Sequence, residues 1–166
     1  MQLPNGKVVD VLSSVLEEIE KWIQDASNKP ESGGYIIGYQ HKATGNYSLE
    51  AVSPPYSMDI RTSVRFDIRD PKHQDFLYCA RHRKSYYLGV WHTHPQTIPI
   101  PSNTDWTDWR ETLILDKTGC QYVFFIIAGT IEWRLWVGEF ATGRIQEVYE
   151  CKKSEDGMCT QDREES

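Results

Sequence analysis

The chain has 166 residues, of which 39% are hydrophobic and 12% aromatic, the size and composition of one domain that buries its own core. Its 24 acidic residues outnumber its 18 basic residues, which gives a formal net charge of −6. Because no long cationic segment occurs, neither nucleic acid nor an anionic membrane surface is an expected partner.

The sequence carries no sign of export or membrane insertion. Its N-terminal segment lacks the basic stretch and continuous apolar run of a secretory signal. The longest apolar run, YVFFIIAG from Tyr122, is far shorter than the roughly 18 residues of a membrane helix. We therefore expect a cytoplasmic protein. Since no CxxC pair occurs, its cysteines are expected to be free thiols in a reducing compartment. They are Cys79, Cys120, Cys151 and Cys159.

The first half of the chain predicts one helix followed by strands. A helix is expected to begin near Ser14, which is spaced with Glu17 as a capping box before apolar residues at helical intervals. Residues 33–55 predict two strands joined by a turn at residues 44–46. The alternating segment TSVRFDI, residues 62–68, predicts one further strand.

The second half predicts two helices and four strands. A helix follows Pro71, and residues 85–94 form a buried strand. Residues 102–119 supply a third helix that Gly119 closes. Residues 120–149 predict three strands in an antiparallel meander. The expected fold class is therefore α/β, or an α+β sandwich, with one mixed sheet flanked by helices.

The chain is expected to contain one domain over residues 1–150. The remaining residues, 151–166, read CKKSEDGMCTQDREES and have almost no apolar side chains. Such a segment cannot bury enough surface to order itself, so we expect a flexible polar tail.

Two histidines stand two residues apart at the end of a predicted strand, within GVWHTHPQTIPIPSNTDW. Strand residues i and i+2 project to the same face, so His92 and His94 should lie side by side with Thr93 facing away. Pro95 cannot continue a strand, which leaves both imidazoles at the edge of the sheet. An isolated pair of this kind is usually found on a surface or in a core, but it can also share one metal ion.

Ser102 and Asp105 are three residues apart at the start of the third helix, so both side chains lie on one face of its first turn. The pair fits an ordinary helix N-cap with an acid in the first turn. It also fits a second interpretation, because two imidazoles and one carboxylate form the three-ligand shell, with one open position, that catalytic zinc requires. The combination with His92 and His94 favours the metal site.

A water molecule activated by zinc needs a carboxylate that accepts its proton and delivers it to the leaving amine. Glu31, in KPESGGYIIG, stands where a helix has ended and an apolar strand begins. Gly33 and Gly34 follow it and allow a close approach of the backbone. Without the histidine pair, Glu31 would be interpreted as a solvated loop acid.

Glu31, followed by the segment HTHPQTIPIPSNTD at residues 92–105, resembles the signature of the JAMM metallopeptidases, also called MPN+ or JAB. The resemblance extends to about Tyr149 and implies a fold similar to that of cytidine deaminases. By position, it makes His92, His94 and Asp105 the zinc ligands.

The same resemblance makes Glu31 the general acid/base, and Ser102 a hydrogen-bond donor to the oxyanion of the tetrahedral intermediate. The implied cofactor is Zn²⁺, which polarises the scissile carbonyl and generates hydroxide. The implied reaction is hydrolysis of an amide, typically the isopeptide bond after the C-terminus of a ubiquitin-like protein.

A narrower resemblance is carried by RTSVRFDIRDPKHQDF and YYLGVWHTHPQTIPIPSNTDWTDW, residues 61–76 and 86–109. These segments resemble the small bacterial JAMM peptidases of CBASS anti-phage operons. In that group, a ubiquitin-transferase-like protein attaches the C-terminus of a CD-NTase, a cyclic-oligonucleotide synthase, to target lysines, and the peptidase removes it. The implied partner is therefore a protein substrate, the C-terminal tail of a CD-NTase or of a ubiquitin-like protein.

Three alternatives are considered beside this function. Other bacterial members cleave ubiquitin-like or sulfur-carrier proteins, and nothing in the quoted segments excludes such substrates. A non-catalytic MPN scaffold usually lacks one or more ligands, whereas every position is filled here. A zinc nucleobase deaminase needs HxE followed by PCxxC, and this chain has His94 in place of the acid.

Tryptophans flank the histidine segment. Trp91 and Trp106, with Trp109, are candidates for a groove that binds an extended peptide tail, because aromatic side chains offer a large contact area. The same residues are also typical of a core. A peptide bound beside the metal would be able to add a strand to the sheet edge.

Overall fold

The structure is a computed structural model that describes residues 1–150 and the backbone of residues 152–153 and 159–160. The described residues form three helices, α1 Ser13–Glu20, α2 Lys72–His82 and α3 Asn103–Leu115. The strands of the first half are β1 Val9–Val11, β2 Gly33–Gln40, β3 Tyr47–Val52, β4 Ile60–Thr62 and β5 Arg65–Asp67. The later strands are β6 Tyr86–Thr93, β7 Tyr122–Ala128, β8 Trp133–Glu139, β9 Ile145–Val148, β10 Lys152–Lys153 and β11 Cys159–Thr160.

One seven-stranded sheet organises the molecule, in the order β1-β3-β2-β6-β7-β8-β9. The β1–β3 and β6–β7 pairs are parallel and the other pairs are antiparallel. The β2–β3 hairpin, the strand before the histidines and the C-terminal meander are therefore confirmed, and so is the mixed sheet with helices.

Strand β7 lies in the centre of the core, and all of its residues are buried. Phe124 and Ile126 belong to a core cluster that includes Val15 and Ile19 of α1. The intervening residues Val123, Phe125 and Ile127 belong to a second cluster with Trp109 of α3. Alternate residues of a strand point to opposite faces, so α1 and α3 cover opposite faces of the sheet.

Three details of the sequence prediction are wrong. Helix α1 begins at Ser13, close to the predicted start, but its N-cap residue, Leu12, makes no side-chain cap. The predicted capping box of Ser14 is absent, because Ser14 is the second residue of α1 and not its N-cap; its hydroxyl donates to the carbonyl of Glu50 in β3. Helix α3 ends at Leu115 rather than near Gly119, which lies in the following loop with φ +73°.

The third wrong detail concerns residues 62–68, which form part of a hairpin rather than one strand. Strands β4 and β5 pair antiparallel, with Arg61 opposite Phe66. Val64 lies in the turn and is 81% exposed. The apolar alternation in this segment therefore does not mark a buried strand face.

A network of buried hydrogen bonds joins the residues that flank the β4–β5 hairpin to helix α2. The Nδ1 atom of His73 lies 2.8 Å from the Ser53 hydroxyl, and its Nε2 atom lies 2.7 Å from Oδ2 of Asp59. The carboxylate of Asp59 also accepts hydrogen bonds from the backbone N–H groups of Tyr56, Arg69 and Asp70. Hydrogen bonds that satisfy buried polar groups hold the segment in one conformation.

Two expectations about the rest of the chain have partial outcomes. Cys79 and Cys120 are free thiols, whereas the prediction of a flexible tail over residues 151–166 falls almost entirely outside the described residues. Within the described part of the chain, no helix has the length and apolarity needed to span a membrane.

Gly89 in β6 has no space for a side chain. A Cβ atom placed there would lie 1.8 Å from the carbonyl oxygen of Phe124 in the neighbouring strand. We predict that Gly89→Ala lowers the free energy of unfolding by about 3 kcal/mol or more, because backbone in the sheet centre has to move. Gly119→Ala serves as the comparison, since Gly119 has φ +73° and open space around it. That change should cost about 1–2 kcal/mol. Urea unfolding measures both values, and equal costs would contradict the prediction.

Candidate metal centre

The two histidines meet at the end of β6. His92 is the penultimate residue of the strand and His94 follows its last residue, Thr93. The ring centroids of His92 and His94 are 4.8 Å apart, and their Nε2 atoms are 3.1 Å apart. Thr93 is fully buried, and its hydroxyl donates to the side-chain carbonyl of Gln24. The predicted side-by-side placement of the imidazoles is confirmed.

The start of α3 fits both interpretations of Ser102 and Asp105. The Ser102 hydroxyl accepts a hydrogen bond from the Asp105 backbone N–H at 3.1 Å. Oδ2 of Asp105 accepts one from the Ser102 backbone N–H at 2.6 Å, which completes a capping box. The same carboxylate reaches the histidines, because Oδ1 lies 3.1 Å from Nε2 of His92 and Oδ2 lies 3.2 Å from Nε2 of His94. The helix cap therefore orients the carboxylate.

The three side chains have the composition and spacing of a metal site. Ligand atoms of His92, His94 and Asp105 all lie within 4.8 Å of one another. Imidazole nitrogens and a carboxylate oxygen are common ligands of divalent metals. Each side chain is only 9–13% exposed, so the group is largely shielded from water.

We call His92, His94 and Asp105 the cluster. The pKa shifts within it follow from the short distances between these side chains. Burial alone would raise the pKa of Asp105, but the neighbouring imidazoles of His92 and His94 outweigh it and hold that pKa well below its usual range. Burial alone would lower the pKa of His94, whereas the contact with Asp105 raises it. The carboxylate of Asp105 is therefore ionised at neutral pH and available as a ligand.

Glu31 is brought beside the cluster by the pairing of β2 with β6. Gly33 lies opposite His92 in the register, and Glu31 precedes it by two residues. The Glu31 residue is 6% exposed. Burial, only partly offset by the nearby histidines, raises the pKa of its carboxyl to about 6. A carboxyl with such a pKa exchanges protons near neutral pH.

Residues of the β4–β5 hairpin form hydrogen bonds with the backbone of Glu31. The Glu31 N–H donates to the carbonyl of Thr62 at 2.7 Å. Nε of Arg61 donates to the Glu31 carbonyl at 2.8 Å, and Nη2 donates to the Ser32 hydroxyl at 2.6 Å. Sequence reasoning missed Arg61, because nothing in the local pattern indicated a hairpin here.

A cleft of about 280 Å³ opens between the β4–β5 hairpin and α3, beside the cluster. Glu31, His92, Ser102 and Asp105 all line it. The hairpin contributes Val64, Arg65 and Phe66, and the helix contributes Thr104, Asp108, Trp109 and Thr112. Four of the five predicted catalytic and metal-binding residues therefore face one cleft, and the fifth, His94, contacts two of them, His92 and Asp105.

The tryptophans belong mainly to the core. Trp91 is 1% exposed and its indole N–H donates to the carbonyl of Ser53. Its side chain is therefore buried, but Trp91 also lines the cleft, so a substrate contact by Trp91 stays a prediction. Trp106 is half-buried and packs edge-on against Trp109 at 5.2 Å between centroids. A substrate contact by Trp106 stays a prediction.

Comparison with known proteins places this geometry in a family. Residues 13–137, most of the chain, match the family of prokaryotic homologs of the JAB domain. The chain therefore belongs to the prokaryotic JAB family, as the sequence signature implied.

Relatives in three bacteria carry the name CD-NTase/cGAS isopeptidase. The Vibrio cholerae protein is 32% identical over 136 residues, which are 80% of this chain and 81% of the relative. The Pseudomonas aeruginosa protein is 31% identical over 64% of this chain and 68% of its own length. The Escherichia coli protein is 25% identical over 79% and 81%.

Solved structures are similar in fold. A protein from Desulfitobacterium hafniense superposes with a TM-score of 0.59 at 19% identity, over 85% of this chain and 90% of that chain. A protein from Salinibacter ruber gives a TM-score of 0.51 at 14% identity, over 84% and 88%.

We predict that divalent metal stabilises this protein through the cluster. A ligand present at 1,000 times its Kd adds about 4 kcal/mol to the free energy of unfolding. Removing metal with a chelator should therefore lower the unfolding midpoint of the wild type and leave that of His92→Ala unchanged. Calorimetry with and without chelator measures the effect. His82→Ala, at the exposed end of α2, should respond like the wild type. If chelator did not change the unfolding midpoint of the metal-loaded wild type, the prediction would be contradicted.

Proposed function

We propose that this protein is a zinc-dependent isopeptidase that hydrolyses the amide bond after the C-terminus of a protein conjugated to a target. The conjugated protein is a CD-NTase of a CBASS anti-phage system, and the reaction takes place in the cytoplasm. The observation that carries the proposal is the convergence of His92, His94 and Asp105 next to the buried carboxyl of Glu31, in one cleft. The names of the three relatives support the substrate.

The spacing of the three ligand side chains fits zinc. Nitrogen and oxygen ligands lie about 2.0–2.2 Å from zinc, so two ligands at the tetrahedral angle are about 3.3 Å apart. Here the two Nε2 atoms are 3.1 Å apart, and each lies 3.1–3.2 Å from a different oxygen of Asp105, Oδ1 for His92 and Oδ2 for His94. Three protein ligands leave the fourth position for water, as catalytic zinc sites do.

Zinc would supply a Lewis acid for the scissile carbonyl and lower the pKa of water held in this shell. Glu31 then accepts a proton from the attacking water and delivers it to the lysine nitrogen as the C–N bond breaks. Its pKa of about 6 suits both steps near neutral pH. The products are a free C-terminal carboxyl group and a free lysine amine.

Ser102 is the proposed donor to the oxyanion. Its hydroxyl lines the cleft and accepts the Asp105 N–H. A hydroxyl has one O–H to donate in addition to the lone pairs with which it accepts. The Ser102 O–H is therefore available to the charge that develops on the carbonyl oxygen.

The cleft supports binding of an extended tail. The hairpin forms one wall and α3 forms the other, so a chain entering between them ends at the cluster. A C-terminal tail can donate and accept main-chain hydrogen bonds along a strand edge. Apolar Val64 and Phe66, with Arg65 and Asp108, supply both apolar and charged contacts along the route.

We predict that purified, zinc-loaded protein cleaves a CD-NTase tail joined to a reporter by an isopeptide bond. Glu31→Gln should retain about one zinc ion per chain while kcat falls about 10²–10⁴-fold, because proton transfer is lost. His92→Ala should lose both zinc and cleavage. Mass spectrometry of the metal and a gel assay of cleavage measure these results.

The outcomes of this assay separate the alternatives. Zinc binding with cleavage of a ubiquitin-like or sulfur-carrier fusion, but not of the CD-NTase fusion, would favour that substrate class. No zinc under replete conditions would favour a non-catalytic MPN scaffold.

A second prediction tests the cleft. Val64 is 81% exposed at the tip of the hairpin and lines the cleft. Val64→Ser should raise KM about fivefold with kcat unchanged, because a partly buried contact with the tail contributes about 1 kcal/mol. Ile114→Ser is the control, since Ile114 is 77% exposed near the far end of α3. Steady-state kinetics measure both variants, and equal KM values for all three proteins would exclude the contact.

A further inference from the structure

The side chain of Gln96 contacts the edge of the His94 ring that points away from His92 and Asp105. Its Oε1 atom lies 3.2 Å from Nδ1 of His94. The same oxygen accepts a hydrogen bond from the Ile100 backbone N–H at 2.9 Å. One amide oxygen therefore connects an imidazole of the cluster to the loop that leads into α3.

The hydrogen bond from Ile100 determines which atom of the Gln96 amide faces His94, and so which nitrogen of His94 carries the proton. A backbone N–H can only donate, so the atom of Gln96 that faces it is the carbonyl oxygen and not the amide nitrogen. A carbonyl oxygen can only accept, so Nδ1 of His94 carries the proton of their shared hydrogen bond. In the neutral imidazole the lone pair then resides on Nε2, which is the atom that faces His92 and Asp105.

The main chain of Gln96 is held as well. Its carbonyl accepts a hydrogen bond from the Thr130 N–H at 2.8 Å, in the turn between β7 and β8. A Cβ atom at Gly129 would lie 2.4 Å from that carbonyl oxygen, so the glycine permits the close approach. The His94 N–H donates to Ala128 at 2.9 Å. Gln96 and His94 are thus anchored to the same end of β7.

We propose that Gln96 is a positioning residue of the metal centre, which selects the His94 tautomer with Nδ1 protonated and Nε2 directed at the metal. A hydrogen-bond acceptor behind a metal-binding imidazole fixes the orientation of the ring and raises its basicity, and its loss typically weakens metal binding 10–100-fold. Gln96 is solvent-exposed, where water competes for the hydrogen bond, so we expect an effect near the lower end. This inference rests on the proposed zinc site but not on the proposed substrate.

The test measures zinc affinity of the full chain by competition with a chromogenic chelator. Gln96→Met removes the acceptor at similar length and should raise the Kd for zinc about tenfold. Gln96→Glu keeps an acceptor for both donors and should bind zinc at least as tightly as the wild type. Gln74→Met on α2, another exposed glutamine, is the matched control and should leave the Kd unchanged.

A second measurement distinguishes positioning from general loss of structure. Nitrogen-15 NMR of the histidine rings should show Nδ1 of His94 protonated and hydrogen-bonded in the zinc-loaded wild type and in Gln96→Glu. The Gln96→Met spectrum should show this hydrogen bond lost, while the unfolding midpoint without metal stays within a few degrees. An unchanged zinc Kd in Gln96→Met, or equal losses in Gln96→Met and Gln96→Glu, would overturn the proposal. A wild type that binds no zinc would overturn it together with the proposed metal site.

Discussion

The antiparallel pairing of β2 with β6 is the constraint on which the site depends. This register sets Gly33 opposite His92 and so brings Glu31 to the histidines. A slip of one residue would turn both imidazoles to the opposite face and present Thr93 in their place. Thr93 resists such a slip, because its buried hydroxyl accepts the Ser32 N–H and donates to Gln24.

Helix α3 supplies Asp105, the third member of the cluster, because its cap and its packing hold the start of the helix in one place. The capping box orients the Asp105 carboxylate, and Trp109 one turn later stacks on Phe125 of β7 with 4.7 Å between ring centroids. Strand β7 is the parallel neighbour of β6, which carries the histidines. The start of α3 and the end of β6 are therefore both held against β7. A residue that caps a helix also completes the cluster, so the two interpretations of Asp105 are complementary.

The β4–β5 hairpin connects the cleft to Glu31, the proposed acid/base residue. Val64 and Phe66 face the cleft, while Arg61 and Thr62 hold the backbone of Glu31. The segment that carries the hairpin is itself fixed by the buried contacts of Asp59 with His73.

The sequence by itself predicted most of the elements, because period-2 and helical spacing are local properties. It also predicted the five residues of the signature, because their types and spacing resemble a known motif. It did not determine that residues 60–67 form a hairpin, since an exposed Val64 mimics a strand residue, nor that Trp91 is buried. Ser14 shows the same limit, because its partner Glu50 lies 36 residues away and reaches it only when the chain folds back. Only the tertiary structure placed Glu31 beside residues about 60 positions away, because sheet register depends on packing across the whole core.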